Sequence, residues 1–264
     1  MAKEDLAPKI VIKAAKMTFR DLGYIGLYIL PFIVDIVFIA LIHDKLHYFK
    51  AAEAGKLNFT DVHSFLIWFG TFFLVSWIVG LISASGVITK VNEERRGNKI
   101  SAIDALGEGL IFVPRLIGAS ILYAIIILAI AALPGVLLIF GIYTKSLPLI
   151  GLSIIILLFA LVPVIYVSLR LTLFAPACII KDIGCLESLR ESWKITKGNL
   201  LFIFVALIFL LILSIPFIIL NYALPDIQIG SLLSILIMGP IYNIAITLIF
   251  LELTEQSQSF STSF

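Results

Sequence analysis

Residues 116–143 read LIGASILYAIIILAIAALPGVLLIFGIY, and after the link TKSLPL at 144–149 the chain resumes as IGLSIIILLFALVPVIYVSLRLTLF at 150–174. Neither stretch carries a charge before Arg170. A helix rises about 1.5 Å per residue, so about 20 apolar residues cross the hydrocarbon of a bilayer. Both stretches are long enough. Their apolar residues run on without the alternation of a strand, which reads as helix rather than barrel. The link is short and carries Pro148, so the pair reads as a tight antiparallel helical hairpin.

Four further segments share this character: Leu22–Ile42, Phe65–Thr89, Leu200–Leu220 and Ile229–Leu251. The expected fold class is therefore all-α, a polytopic membrane protein with six transmembrane helices. Composition agrees. Hydrophobic residues make up 61% of the 264-residue chain and charged residues 14%, against about 45–50% and about 25% in an average soluble domain. The first twenty residues are charged throughout and lack a compact apolar core, so a cleavable signal is not expected.

The basic residues fall unevenly around the six segments. Lys3, Lys9, Lys13, Lys16 and Arg20 precede the first segment. Lys90, Arg95, Arg96, Lys99 and Arg115 separate the second from the third, and Lys181, Arg190, Lys194 and Lys197 the fourth from the fifth. The other side has only Lys45, Lys50, Lys56 and Lys145. The positive-inside rule then places both termini in the cytoplasm of a cell (plasma) membrane protein. Residues 252–264 read as a short disordered tail of a single transmembrane domain spanning 1–264. The net charge of +2 offers no footprint for nucleic acid.

Each cytoplasmic basic stretch also has helical periodicity. In the first, Lys9, Lys13, Lys16 and Arg20 line one face and Ile12, Ala15, Phe19 and Leu22 another. In the second, Ile103, Leu106, Leu110 and Val113 form the apolar stripe, with Asp104, Glu108 and Arg115 opposite. In the third, Leu186, Leu189 and Trp193 are apolar, and Glu187, Arg190, Glu191 and Lys194 face away. Such helices lie in the headgroup layer and feed into a span, with Trp193 as an interfacial anchor. The order amphipathic helix, span, span then occurs three times, with repeat units at 7–63, 99–148 and 182–251. Three unrelated juxtamembrane linkers are the alternative.

Some residues are costly where they stand. Asp35 lies in the middle of the first segment, where an unpaired carboxylate costs about 2.5–3.5 kcal/mol on insertion scales. It reads either as a proton or cation site or as a structural carboxylate bonded to a neighbouring helix. Arg170, at the end of the fourth segment, either pairs with Asp182 or Glu191 or snorkels to a lipid phosphate. Pro176 ends or bends the helix between them. Asn243 can bond across helices. Cys178 and Cys185 read as packing residues. His43, His47 and His63 share one loop without a cysteine, so neither a metal site nor any other cofactor is expected. No nucleophile elbow, nucleotide loop or zinc-protease motif occurs, and an enzyme is not expected.

Arg170-x-x-Leu-x-x-Pro176, followed by IIKDIGCLESLRESWKITKGNLLFIF at 179–204, carries a resemblance. In Arg170, Pro176, Asp182, Gly184, Leu189, Ser192, Trp193, Lys197 and Gly198 it resembles the multi-helix membrane domain of some membrane-anchored glycerophosphoryl diester phosphodiesterases and related uncharacterised prokaryotic membrane proteins. Asp182 stands where Glu is commoner, and Glu187–Ser188 where Ala often sits. The segment GNKISAIDALGEGL resembles a weaker copy. The resemblance implies a fold and a location, not a reaction, because catalysis in those enzymes belongs to a separate soluble barrel whose motifs are not in this sequence. It leaves Asp35, Arg170, Pro176, Asp182, Glu191, Trp193 and Lys197 as candidate structural or lipid-contacting residues. The function expected is that of a non-enzymatic membrane protein that organises or binds lipids or partner proteins, itself included. The alternative is a small-molecule or ion transporter built around Asp35.

Overall fold

A computed structural model describes the backbone of residues 6–53, 59–224 and 228–261 and the side chains of 6–41, 63–224 and 228–256. The regular structure among them is helical: α1 Leu6–Arg20, α2 Gly23–Gly26, α3 Ile29–Glu53, α4 Phe59–Arg95, α5 Ala102–Leu110, α6 Val113–Tyr143, α7 Leu147–Leu171, α8 Phe174–Ile180, α9 Cys185–Ile195, α10 Leu200–Ala223 and α11 Ile229–Ser261. Among the described residues five stretches are long and apolar enough to cross a membrane: His63–Arg95, Val113–Tyr143, Leu147–Ile180, Leu200–Ala223 and Ile229–Gln256. Large apolar side chains such as Leu128, Ile139, Phe159, Val162 and Leu211 stand exposed on them, which only a hydrocarbon solvent makes stable. The chain is a multi-pass α-helical membrane protein.

The expected first span, Leu22–Ile42, is divided. Arg20 ends α1, the Asp21 carboxylate accepts the Gly23 N–H at 2.8 Å, and a single turn of helix follows before α3 begins at Ile29. Its described apolar run is Ile29–Leu41, shorter than the other five. At the far end, α11 runs on through the stretch expected to be a disordered tail and reaches Ser261. Pro134, Pro163, Pro216 and Pro240 all lie inside helices that continue past them.

The chain divides into two compact units, one of Val11–Val113 with Phe209–Ala245, the other of Pro114–Ile208 with the residues up to Ile10 and from Ile246 on. In the first, α4 packs against α3 and α5. Close approach to α5 needs Gly109, where an added Cβ would sit 2.8 Å from the Ser85 carbonyl carbon and 2.9 Å from the Gly86 nitrogen. The Asn243 amide donates to the Tyr28 hydroxyl and to the Gly239 carbonyl, so this intramembrane polar group is satisfied. In the second unit, α6 and α7 form the expected hairpin. Lys145 takes φ 53° in the link, Ser146 N–H bonds Gly141 O at 3.0 Å, and Pro148 sits in the first turn of α7, where no N–H is required. There α9 packs against α7 and α8.

The three amphipathic helices each bury a stripe of mainly small residues: Ala7, Ala14 and Thr18 with Ile10 and Val11 on α1, Ala105 and Gly109 on α5, and Ser188 and Ser192 with Leu189 and Ile195 on α9. Their bulkier apolar side chains stay exposed: Ile12 and Phe19 on α1, Ile103 and Leu110 on α5, and Leu186 and Trp193 on α9. Successive residues turn by about 100°. The exposed apolar side chains therefore lie roughly 120° round from the buried stripe in each helix, in the same rotational sense, with the charged side chains a further ~100° on. Of the apolar faces expected from the sequence, Ile12, Phe19, Ile103, Leu110, Leu186 and Trp193 point outward, whereas Val113 and Leu189 are buried in the protein contact.

Candidate functional site

Arg170 lies in the last turn of α7 and is 8% exposed. Its Nε and Nη2 donate to the Tyr166 hydroxyl at 3.1 and 2.8 Å, and Nη1 donates to the Trp193 carbonyl at 3.1 Å. Tyr166 is one helical turn back on the same face, which is why the two meet. The guanidinium carbon is 5.2 Å from the centre of the Tyr166 ring and 5.0 Å from that of Trp193, within cation–π range. The rings themselves meet edge to face at 5.9 Å. Trp193 O belongs to the last turn of α9, the negative pole of that helix, and so suits a cation.

The backbone makes the return contact. Ser192 Oγ donates to Arg170 O at 2.8 Å and accepts from Leu173 N–H at 3.1 Å. Thr196 Oγ1 donates at 2.8 Å to Ser192 O in the preceding turn and stands 3.3 Å from the Arg170 carbonyl. These bonds hold the break between α7 and α8, where helical bonding stops. Pro176 stands in the first turn of α8, buried. A proline there loses no N–H bond that the helix needs, so Pro176 opens α8 rather than ending α7.

Arg170 thus ties α7 to α9, as expected, but through a carbonyl and a phenol. Asp182 instead pairs with Arg115, and Glu191 with Lys181. The expected Arg170–Asp182 or Arg170–Glu191 pair does not form because both acids are committed to more exposed bases. Asp182 also shapes the backbone. At φ 51° it lets Ile183 N–H return to Cys178 O at 3.2 Å and closes α8. A short Asp side chain tolerates this left-handed conformation better than most. Lys197 is exposed just past α9, and Gly198, at φ 80°, turns the chain toward α10. Trp193 is 41% exposed, beside Leu186 on the outward apolar face.

A second buried cation was expected only as a topological charge. Lys90, 4% exposed on α4, lies 2.9 Å from Asp21 and 3.1 Å from Glu94 and donates to Ile100 O at 2.8 Å. Its ammonium sits 5.2 Å from the centre of the Tyr24 ring. Partial burial raises the Asp21 carboxyl, but the hydrogen bonds from Lys90 and from the Gly23 N–H outweigh this and hold it below its ordinary value. The knot borders a polar cavity of about 590 Å³ lined also by Arg20 and Lys99.

Asp35 is half-buried and has no hydrogen-bond or ion-pair partner among the described residues. An apolar groove of about 300 Å³ runs nearby between α3 and α4, lined by Ile33, Val37, Phe38, Trp68 and Phe72 but not by Asp35. The side chains of His43 and His47 lie outside the described residues. Among the described residues, no group of three or more His, Cys, Asp and Glu is placed to hold a metal ion. Cys178 is buried, and Cys185 Sγ donates to Arg115 O at 3.2 Å, so each thiol sits in packing.

Tyr166 was not among the expected residues, although its place one turn before Arg170 could have marked it, whereas the Lys90–Asp21 pair spans too many residues for any local pattern. No curated protein and no solved structure matches the chain. One family model does, over residues 32–251, and its description, "Domain of unknown function (DUF7847)", states no activity and no specific tie to the phosphodiesterases. That stretch takes in α4 to α10 whole and most of α3 and α11, and the chain belongs to this family of multi-helix membrane domains of unknown function.

Proposed function

We propose that the chain is a non-enzymatic membrane protein that gathers lipid headgroups on the cytoplasmic leaflet through three interfacial helices. One observation carries this: α1, α5 and α9 all turn large apolar side chains outward, with charged side chains beside them in the same rotational order. That order suits a helix lying at a membrane surface while its smaller residues rest on protein. It also supports three repeated units, α1 with α3 and α4, α5 with α6 and α7, and α9 with α10 and α11. The second unit then extends past residue 148 to include α7. Six spans and two cytoplasmic termini follow, with α3 completing the first span.

Of the three helices only α1 has net positive charge, with Lys9, Lys13, Lys16 and Arg20 exposed, whereas α5 carries Asp104 and Glu108 alone and two acids balance two bases on α9. Each cation near an anionic surface contributes about 1 kcal/mol. The test uses nanodiscs of mixed phosphatidylglycerol and phosphatidylcholine, measuring which lipid is enriched around the protein. Wild type should enrich phosphatidylglycerol about threefold or more, and K13Q/K16Q/R20Q should fall toward the bulk ratio. A wild type surrounded by lipid at the bulk ratio refutes lipid gathering by charge.

A further inference from the structure

We propose that the guanidinium of Arg170, packed beside the rings of Tyr166 and Trp193, binds one phosphate group of a membrane phospholipid.

The first ground is an unmatched charge. Among the described residues every other deeply buried cation is neutralised by acids: Lys90 has both Asp21 and Glu94. Two more exposed bases, Arg115 and Lys181, are also paired, with Asp182 and Glu191. Arg170 is more than nine-tenths buried and has only neutral acceptors, one phenol and one carbonyl. A buried charge requires a counter-charge, and the negative end of α9 supplies only a fraction of one.

The second ground is donor geometry. A guanidinium carries five N–H groups in one plane, and three are used here. One on each terminal nitrogen remains, an arrangement that matches two oxygens of a phosphate.

The third ground is place. Tyr166 and Trp193 are each 41% exposed, so the walls of the site reach the surface although the cation does not. Trp193 shares the outward apolar face with Leu186, and such amphipathic rings settle at headgroup depth. The occupant therefore comes from the bilayer. The assignment rests on the interfacial placement of α9 proposed above, and it adds a single stoichiometric site to a general enrichment.

Native mass spectrometry after stepwise delipidation tests it, with phosphatidylcholine, phosphatidylglycerol and diacylglycerol supplied separately. Wild type should keep one molecule of either phospholipid and none of diacylglycerol. R170Q should keep at least tenfold less, and R170K an intermediate amount, since lysine lacks the paired donors. Y166F, which removes an internal acceptor and frees donors, should hold the phospholipid at least as well as wild type. Inorganic phosphate at millimolar concentration should not displace it, and displacement would make the ligand a soluble anion and overturn the assignment. Equal retention by wild type and R170Q would also overturn it. Should R170Q fail to fold, the wild type decides: a folded wild type that retains and rebinds no phospholipid refutes the site. The single site and the general enrichment are separable. R170Q should leave the phosphatidylglycerol enrichment of wild type intact, while K13Q/K16Q/R20Q should abolish enrichment and keep the single bound lipid.

Discussion

Asp21, in the link between α1 and α2, meets Lys90 of α4, and the pair shows how much one charged residue can depend on sequence that lies far from it. The Asp21 carboxyl is held below its ordinary value of 3.8. A depressed carboxyl contributes stability that is fully present above the unfolded value and disappears as the pH falls through the folded one. Asp21 is 44% exposed, so solvent screens the pair, and D21N should cost less than about 1 kcal/mol at pH 7, at most about 2–4 °C in Tm for a chain of this size. Its stability should also fall less than that of wild type between about pH 5 and pH 3. Thermal melts in detergent across this range check it, and superimposable acid limbs would assign the effect to other carboxylates. In sequence Lys90 reads only as one of the bases that set an expected orientation, and its burial was not legible, because its partners Asp21 and the Ile100 carbonyl are set by folding. The same holds for Arg170. It stood out as costly, yet a backbone carbonyl such as that of Trp193 leaves no mark on side-chain pattern.

At the scale of the element, the amphipathic helices were legible in period and not in direction. Ile12, Phe19, Leu186 and Trp193 form the obvious apolar faces, and hydrophobicity alone cannot say whether such a face meets protein or lipid. The discriminating residues are the small ones. Gly109 and Gly107 lie two apart on α5 and face opposite conditions: a Cβ at 109 would stand 2.8 Å from the Ser85 carbonyl carbon, while nothing lies within 4 Å of one at 107. G109A must lift α5 off α4 and should cost about 1–3 kcal/mol, as overpacking of a close contact does. G107A should instead stabilise by up to about 1 kcal/mol through helix propensity. Paired melting curves read both signs at once. Equal effects would mean that α5 does not rest on α4 through its glycine.

For the molecule as a whole, long apolar runs were the legible part, because a bilayer demands about 20 of them per crossing and forbids unsatisfied backbone. The ends were not: Gly23 and Gly26 lie where Tyr24 and its neighbours break the first run into a turn and a later helix, and local bonds such as Asp21 to Gly23 decide that break. The number of crossings then turns on α3, whose described apolar stretch is Ile29–Leu41. If α3 spans, residues on either side of the α3–α4 pair occupy opposite compartments to the link between them. Single cysteines introduced by G55C, N98C and F260C, in a background lacking Cys178 and Cys185, separate the possibilities. Six spans with cytoplasmic ends require that an impermeant maleimide label G55C from outside and leave N98C and F260C untouched until the membrane is permeabilised. Five spans, with α3 lying in the surface, would put G55C and N98C on opposite sides but leave Lys13 and residue 55 on the same side, so a K13C variant completes the set. Labelling of K13C together with G55C from outside would remove the first crossing, and with it the proposed placing of α1 at the cytoplasmic leaflet. Lys13, Lys16 and Arg20 would then meet the outer leaflet, and the proposed gathering of cytoplasmic headgroups by charge would fail.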